Sequence, residues 1–594
     1  MIGLISATAA GAAARDRLAS AWPGRTRVYR EPGGPAEAVR RAFAECDQVV
    51  CFLATGAVVR LIAPLLAGKD SDPGVVCVDE AGRHAVALLG GHAGGANRLA
   101  AEVADALPGC IPVITTATDA AGIPGLDTLG LPVEGAVAAV GRALLDGGPV
   151  VLEADARWPL PALGTGIVEP SPPERSPVPP PLPAGDAATA AAAPFVLAVT
   201  DRLLPERPRT AVLRPPSLVV GVGASRDVPA GEVLALVRES LAAAGLSARS
   251  VAALATVDAK AGEPGLLAAA ERLGVELVTF PAGELAGIEV PNPSDHPRRA
   301  VGTPSVAEAA ALAAAGPGGE LLLPKRKSAP ADGRAAMATC AVARRRPRGR
   351  LAVVGLGPGA RDLLTPRARA ELRRASVVVG LDQYVAQIRD LLRPGTRVLE
   401  SGLGAEEERA RTAVAQARAG HAVALIGSGD AGVYAMAAPA LAEASTDIDV
   451  VGVPGITAAL AAAALLGAPL GHDHVSLSLS DLHTPWEVIE RRVRAAAEAD
   501  LVVTFYNPRS RGRGWQLPKA LGMLAEHRSP DTPVGVVRNA SRPGERVRLT
   551  TLAALDPSVV DMMTVVTVGN TATRTVAGRM VTPRGYRWQR EPGR

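Results

Sequence analysis

The sequence predicts a multi-domain α/β protein, and three observations carry that expectation. Short apolar runs such as "QVVCFLAT" (residues 48–55), "GVVCVDE" (74–80) and "IPVITTATD" (111–119) alternate with alanine-rich segments of helical length. That alternation is the mark of largely parallel sheets layered with helices. Glycine-rich turns follow several of the runs. A chain of 594 residues is also too long for one hydrophobic core, and ordinary domain sizes divide it into roughly three to five.

The composition is that of a globular protein: hydrophobic residues make up 48% and charged residues 21%. Sixty-three Lys and Arg against 59 Asp and Glu leave a net charge of +4, too small a surplus for a protein built mainly to bind nucleic acid. Aromatic residues, at 3%, offer few platforms for stacking bases. The five cysteines contain no C-x-x-C and suit a reducing cytoplasm. The start "MIGLISATAAGAAARDR" is apolar but has no basic residue before Arg15, so it reads as a strand and a helix rather than a signal peptide. The longest apolar run, from Ile456, is broken by Gly467 and Pro469 and is too short to span a membrane.

Two interruptions divide the chain. Proline density in "EPSPPERSPVPPPLPAG" (169–185) enforces extended geometry and withholds backbone donors, predicting an exposed linker. The basic run "RRRPRGR" (344–350) reads as a solvated hinge. The expected parts are therefore 1–130, a middle region 131–216 holding the linker, 217–343, the hinge 344–350, and 351–588. In the third, "SLVVGVGASRDVPAGEVLALVRESLAAAGL" (217–246) predicts a strand, a glycine turn and an amphipathic helix.

In "LAVVGLGPGARDLL" (351–364) a strand runs into a turn where Gly355, Gly357 and Ala360 match the G-x-G-x-x-A dinucleotide spacing. Asp382 stands where a ribose-binding acid would fall. Pro358 removes one N–H that a pyrophosphate would use, so the turn is open to a nucleotide or a purely structural reading. Two more strand-and-glycine-turn segments, "HAVALIGSGDAGVYAMA" (421–437) and "VVGVPGITAALAAAALLGAPLG" (450–471), suggest that the three turns share one cleft, with helix starts supplying oriented N–H groups.

Seven segments in order, "GLGPGARDLLT", "GSGDAGVYAMA", "VPGITAALAAAALLGAPLGHD", "SDLHTPWEVIERR", "FYNPRSRGR", "VVRNASRPGE" and "TVVTVGNTAT", resemble the tetrapyrrole (corrin/porphyrin) methyltransferases. The pairing of "SGDAGVY" with "YNPRS" is most similar to the precorrin-3B C17-methyltransferases. The resemblance implies two α/β subdomains with S-adenosylmethionine between them, methylation at C17 with contraction of the macrocycle, and a homodimer formed through this part. It implies that Pro358, Gly429, Asp430, Ala431, Thr457, Ala458, Asn507, Ala540 and Thr567 line the cofactor. No metal ligand set is implied.

The substrate's acid arms suggest Arg509, Arg511 and Arg513, with Arg542 and Arg546 nearby, as bidentate grips, or as a solvated loop. Ring contraction needs a base and an acid, for which Asp481, His483, His472 and His474 are candidates. His483 stands where the family more usually has an aliphatic residue, and the "GHDH" histidines equally suit the start of a strand.

Residues 1 to about 130 and 217–343 resemble the cobalt-precorrin-5A hydrolases, through "CFLATGAVVRLIAPLLAGKDSDPGVVCVDEAGRHAVALLGGHAGGANRLA" (51–100), "ATVDAKAGEPGLLAAAERLGV" (255–275) and "VPNPSDHPRRAVGTPSVAEAAAL" (290–312). The implied reaction opens a lactone with water and releases acetaldehyde. Asp258 or Glu263 would activate the water, with Lys260 or Arg60 on an acid arm; equally, both acids suit capping of the next helix. His92, among glycines, suits a contact with the macrocycle or with a metal, although one histidine is a weak metal signal. A dinucleotide oxidoreductase and a non-catalytic corrinoid carrier are the alternative functions.

Overall fold

The computed structural model describes residues 1–30, 32–68, 71–92, 94–169, 193–330, 333–510 and 512–585. It divides into two compact units. One holds Met1–Arg157, Ala162–Pro347 and Arg393–Gly395; the other holds Trp158–Pro161, Arg348–Leu392 and residues from Thr396 onward. The proline-rich stretch lies, from residue 170, outside the described residues.

The first unit contains three sheets. Six strands form the first, in the order Thr26–Val28, Ile2–Ser6, Gln48–Phe52, Gly74–Val78, His84–Leu89, Ile111–Val113. The first four are parallel, and His84–Leu89 runs back against Gly74–Val78 before pairing in parallel with Ile111–Val113. Helices Ala9–Ala21 and Ala96–Ala106 bury Leu18, Leu99 and Val103 against one face. Gly34–Glu45 and Thr55–Ile62 bury Val39, Ala42 and Val58 against the other. Strands covered on both sides must be apolar throughout, which is why "QVVCF" and "GVVCV" do not alternate. Thr8 caps the first helix by accepting from the Gly11 N–H at 3.1 Å.

The middle region is more than a linker. Val133–Gly135, Thr210–Leu213, Phe195–Val199, Val150–Ala154 and Ile167–Val168 form a five-stranded sheet. The third sheet orders Glu276–Phe280, Val251–Val257, Leu218–Ala224, Ala338–Arg344 and Glu320–Lys327, with the first three parallel and the last two antiparallel. Helices Ala230–Ala243 and Pro264–Leu273 pack on one face. The alanine helix Ala307–Ala315 lies so close to the other that a Cβ on Gly221 would overlap the Ala307 carbonyl.

The second unit opens with an all-parallel sheet in the order Arg397–Ser401, Val377–Leu381, Ala422–Gly427, Arg350–Gly355, Asp449–Val453. Its second sheet orders His474–Ser478, Val502–Tyr506, Thr564–Val568, Pro533–Arg538 and Arg546–Thr551. Only the first pair there is parallel, so this sheet departs from the largely parallel expectation. Helices Trp486–Glu498 and Gln516–Ala525 cover one face of it, and Ala458–Leu466 packs on the other. Among the described residues no helix is long and apolar enough to cross a membrane.

The two units change over inside the basic run, between Pro347 and Arg348, but its arginines are tied down rather than free in solvent. Arg344 grips Asp201 through two bonds of 2.7 Å, Arg345 donates to the Pro216 carbonyl, Arg348 pairs with Asp449, and Arg350 pairs with Glu371. Asp201 is 4% exposed and also accepts from Ser217 at 2.6 Å. Removing one member of a buried pair strands the other. Asp201→Ala is therefore expected to lower the stability of the first unit by about 3 kcal/mol, read as an earlier denaturant midpoint.

Candidate functional site

Three parallel strands of the second unit, Arg350–Gly355, Ala422–Gly427 and Asp449–Val453, end at three turns that meet. Gly357 and Gly429 exchange backbone hydrogen bonds of 3.0 and 2.8 Å. A Cβ on Gly355 would stand 2.7 Å from the Gly429 carbonyl oxygen and 2.8 Å from the Gly455 nitrogen, and one on Gly455 would overlap that same oxygen. Gly357 and Gly429 take left-handed φ of 74° and 67°. The spacing that resembled a dinucleotide fingerprint thus serves a three-way backbone junction.

The expected helix starts need correction. After the first turn the α-helix begins only at Pro366, and after the second only at Ala437. The third turn alone runs straight into a helix, Ala458–Leu466. A pyrophosphate would find no helix N-terminus at the first turn, and Asp382 opens a separate helix with its carboxylate on the Gln383 N–H.

Asp430 locks the junction: its two carboxylate oxygens accept from the Gly432 and Gly455 N–H groups at 2.8 and 3.0 Å. Arg542, from the second subdomain, donates to the Pro358 carbonyl at 2.5 Å and the Ser428 hydroxyl at 2.6 Å. It therefore ties two of the turns and is not a free grip for substrate; Arg546 is exposed.

Sequence reasoning missed two tyrosines. The Tyr506 hydroxyl, at the end of Val502–Tyr506, lies 2.6 Å from the Thr457 hydroxyl and accepts from the Ala459 N–H at 2.8 Å. Thr457 occupies the N-cap position but makes no cap bond of its own, so Tyr506 satisfies that helix start from across the cleft. Tyr434 donates to the Ser476 carbonyl at 2.8 Å, and its ring centroid lies 5.2 Å from that of Tyr506. Burial, with Tyr506 beside it, pushes the Tyr434 phenol above its ordinary value. The available signal was an aromatic residue at each strand or turn end, "GVY" and "FYN".

Backbone strain gathers here. Tyr434, Asn507, Asn539 and Ser541 have φ of 51°, 49°, 51° and 58°. Asparagine tolerates this region, whereas a tyrosine held there marks a conformation imposed by its surroundings.

The remaining expected positions divide. Gly429, Asp430, Thr457 and Pro358 belong to the junction or its rim. Asn507 donates to Ser478 at 3.1 Å. Ala458 and Ala540 pack on the cluster around Ala462 and Leu466, and Ala431 packs in the core beside Met436. Thr567 is fully enclosed in the second sheet, with its hydroxyl 3.3 Å from Thr504, and offers no surface to a ligand.

Arg509 and Arg513 also differ from free carboxylate grips. Arg509 donates to the Pro557 and Ser558 carbonyls, and Arg513 to those of Leu479 and Asn507. Both brace loops; Arg511 lies outside the described residues. Asp481 is half-buried and accepts from Gln516 at 3.0 Å, while His483 is exposed. His472 and His474 bond within the turn that starts strand His474–Ser478.

In the first unit Asp258 is exposed, and Glu263, 7% exposed, pairs with Lys260 at 2.9 Å. Glu263 sits at the N-cap of Pro264–Leu273 but makes no cap bond. Burial works against its ionisation, yet the Lys260 hydrogen bond and charge, with the Asp227 and Val228 backbone, hold its carboxyl below the ordinary value. The "TGAVVR" and "GGHAGGAN" turns lie at opposite ends of the first sheet. One follows the carboxyl end of Gln48–Phe52; the other packs on Gly74, at the amino end of the neighbouring parallel strand. Among the described residues no group of acids, cysteines and histidines is arranged to hold a metal.

Two α/β subdomains joined at a glycine junction, with the Asp430 carboxylate bridging its turns, differ from a dinucleotide-binding fold. Residues 350–556 match the family model "Tetrapyrrole (Corrin/Porphyrin) Methylases", residues 218–343 "Cobalamin synthesis G C-terminus", and residues 37–119 "Cobalamin synthesis G N-terminal". The probable cobalt-factor III C(17)-methyltransferase of Salmonella typhimurium strain LT2 is 48% identical over 239 residues, 40% of this chain and 99% of that protein. The precorrin-3B C(17)-methyltransferase of Sinorhizobium sp is 41% identical over 235 residues, 38% of this chain and 91% of that protein. The crystal structure of the methyltransferase CobJ is 40% identical and covers 40% of this chain and all of its own, with a TM-score of 0.38. The chain belongs to the tetrapyrrole methylases through its C-terminal part, and the regions before it match the cobalamin synthesis G models.

Gly455→Ala is expected to cost about 2 kcal/mol, the usual price of overpacking, seen as earlier unfolding of the second unit. Glu263, whose folded value is lowered, contributes stability that is present above about pH 4.5 and is lost as the pH falls through the lowered value. Glu263→Gln should therefore unfold earlier than the parent protein at pH 7, with the gap closing below about pH 4.5.

Proposed function

We propose that the C-terminal part transfers a methyl group from S-adenosylmethionine to C17 of a tetrapyrrole, precorrin-3B or its cobalt form, and contracts the macrocycle. The observation that carries this reading is the 48% identity to a C17-methyltransferase almost wholly spanned by this chain. The cobalamin synthesis G domains supply a second activity, opening the lactone of a later intermediate with water. The five unpaired cysteines suit a reducing cytoplasm, and the methylating part pairs with a second copy of itself.

The residues present fit a sulfonium. Asp430 places a carboxylate at the junction with both oxygens on backbone N–H groups, a partner of the right sign for a sulfonium. S-adenosylmethionine supplies an electrophilic methyl group. The protein's contribution is placement, and holding two reactants in line is worth ~7 kcal/mol or more of barrier at best. Tyr506 and Arg542 fix the turns that define that placement. Asp481, half-buried and oriented by Gln516, takes the proton-transfer role in ring contraction in preference to the exposed His483.

Incubating the purified chain with S-adenosylmethionine and either precorrin-3B or its cobalt counterpart tests the reading by mass and absorption. Methylation of one of them is expected. Binding of the pigment without S-adenosylhomocysteine formation would mean a carrier, and NAD(P) binding in place of S-adenosylmethionine an oxidoreductase. Tyr506→Phe loses both bonds at the phenol oxygen, each worth about 0.5–1.5 kcal/mol. It should raise KM for S-adenosylmethionine roughly tenfold while kcat changes by less than about twofold.

A further inference from the structure

The first unit holds a cluster of chemistry-bearing side chains that belongs neither to the glycine junction nor to the Lys260–Glu263 pair. Strands His84–Leu89 and Ile111–Val113 are parallel neighbours joined through helix Ala96–Ala106, and open α/β sheets bind ligands outside the carboxyl ends of such strands. The two carboxyl ends lie side by side. The first leads into the loop bearing His92, the second into Thr116 and then the short helix Ala117–Ala121, which bears Thr118.

His92 Nε2 and Thr118 Oγ1 meet at 2.6 Å between that loop and that helix, and Asn97 Nδ2 donates to Thr116 Oγ1 at 3.1 Å beside them. His92, Thr116 and Thr118 are half-buried and Asn97 is 9% exposed. The glycines of the first loop are there because the backbone is pressed against these groups. A Cβ on Gly91 would stand 2.9 Å from Asn97 Oδ1 and 3.0 Å from Thr116 Cγ2, and one on Gly125 would stand 3.5 Å from the His92 ring. Gly90 and Gly95 take φ of 63° and 71°.

An imidazole within hydrogen-bond reach of an aliphatic hydroxyl is the arrangement that activates a hydroxyl nucleophile. We infer that His92 and Thr118 are the base and nucleophile of the chain's ester-opening centre, acting on the lactone of an anionic tetrapyrrole. This rests on the reading of the cobalamin synthesis G domains as the lactone-opening part, and it moves that chemistry from Asp258 and Glu263 to the first sheet.

The step balances without an oxidant or a metal. Thr118 Oγ1 adds to the lactone carbonyl carbon as its proton passes to Nε2 of His92. The ring C–O bond breaks, and the departing alkoxide takes that proton, leaving an acyl-threonine and a free alcohol. Water, giving a proton to His92, then adds to the acyl carbon; the bond to Oγ1 breaks and Thr118 recovers the proton. Lactone and water have become a hydroxy acid.

The full chain is incubated with cobalt-precorrin-5A, and lactone consumption is followed by mass, for the parent protein and for His92→Gln, Thr118→Val and Thr118→Ser. His92→Gln and Thr118→Val should slow opening at least ~100-fold, the usual scale for losing a positioned base or its nucleophile. Thr118→Ser should stay within roughly tenfold of the parent, because it keeps the hydroxyl. Rapid quenching should capture an acyl adduct on the parent protein that Thr118→Val lacks. The thermal unfolding of each variant shows that the unit is folded, and the serine variant restores what valine removes. Opening at the parent rate by Thr118→Val overturns the inference and leaves the lactone-opening reading standing. A parent protein that opens no lactone overturns both.

Discussion

The carbonyl oxygen of Gly429 is the point on which the second unit depends. Three strand ends converge on it so closely that neither Gly355 nor Gly455 has room for a β-carbon. Backbone packed to that degree is stiff, because displacing any one turn disturbs the other two. Asp430 adds a fixed charge and bridges the second turn to the third, so the junction is at once a mechanical keystone and an electrostatic one.

The subdomains are joined to this keystone by side chains. Arg542 reaches the first and second turns, Tyr506 satisfies the helix start beyond the third, and Tyr434 returns from the second turn to the second sheet. Each tie starts from, or lies next to, a residue in left-handed backbone: Ser541 before Arg542, Asn507 after Tyr506, and Tyr434 itself. The conformational cost of those residues is offset by the packing around them and sets the spacing of the two subdomains. A methyl-transfer site needs such fixed spacing, since its catalysis is placement more than acid–base chemistry.

Much of this was legible in the sequence. Strands buried on both faces announce themselves as unbroken apolar runs, and Gln48–Phe52, Gly74–Val78 and Val377–Leu381 stand where such runs occur. Glycine spacing located the junction but not its purpose, because a glycine that lets a ligand approach and one that lets a backbone approach leave the same letter. The small sheet between Val133 and Leu213 escaped notice since its strands are short and the proline-rich stretch separates them. The arginines misled for a physical reason: a guanidinium satisfies backbone carbonyls as readily as a carboxylate, and Arg509, Arg513 and Arg542 do the former. Tyr506 and the His92–Thr118 pair depend on contacts between residues 26 to 49 positions apart, which no local pattern encodes.

Transfer of the methyl carbon itself bears most directly on the central claim. With S-adenosylmethionine carrying a carbon-13 methyl group and precorrin-3B or its cobalt form as acceptor, the account places the label on C17 of a ring-contracted product, read by carbon NMR. Label remaining wholly on S-adenosylmethionine, or appearing at another ring position with the macrocycle uncontracted, would contradict it.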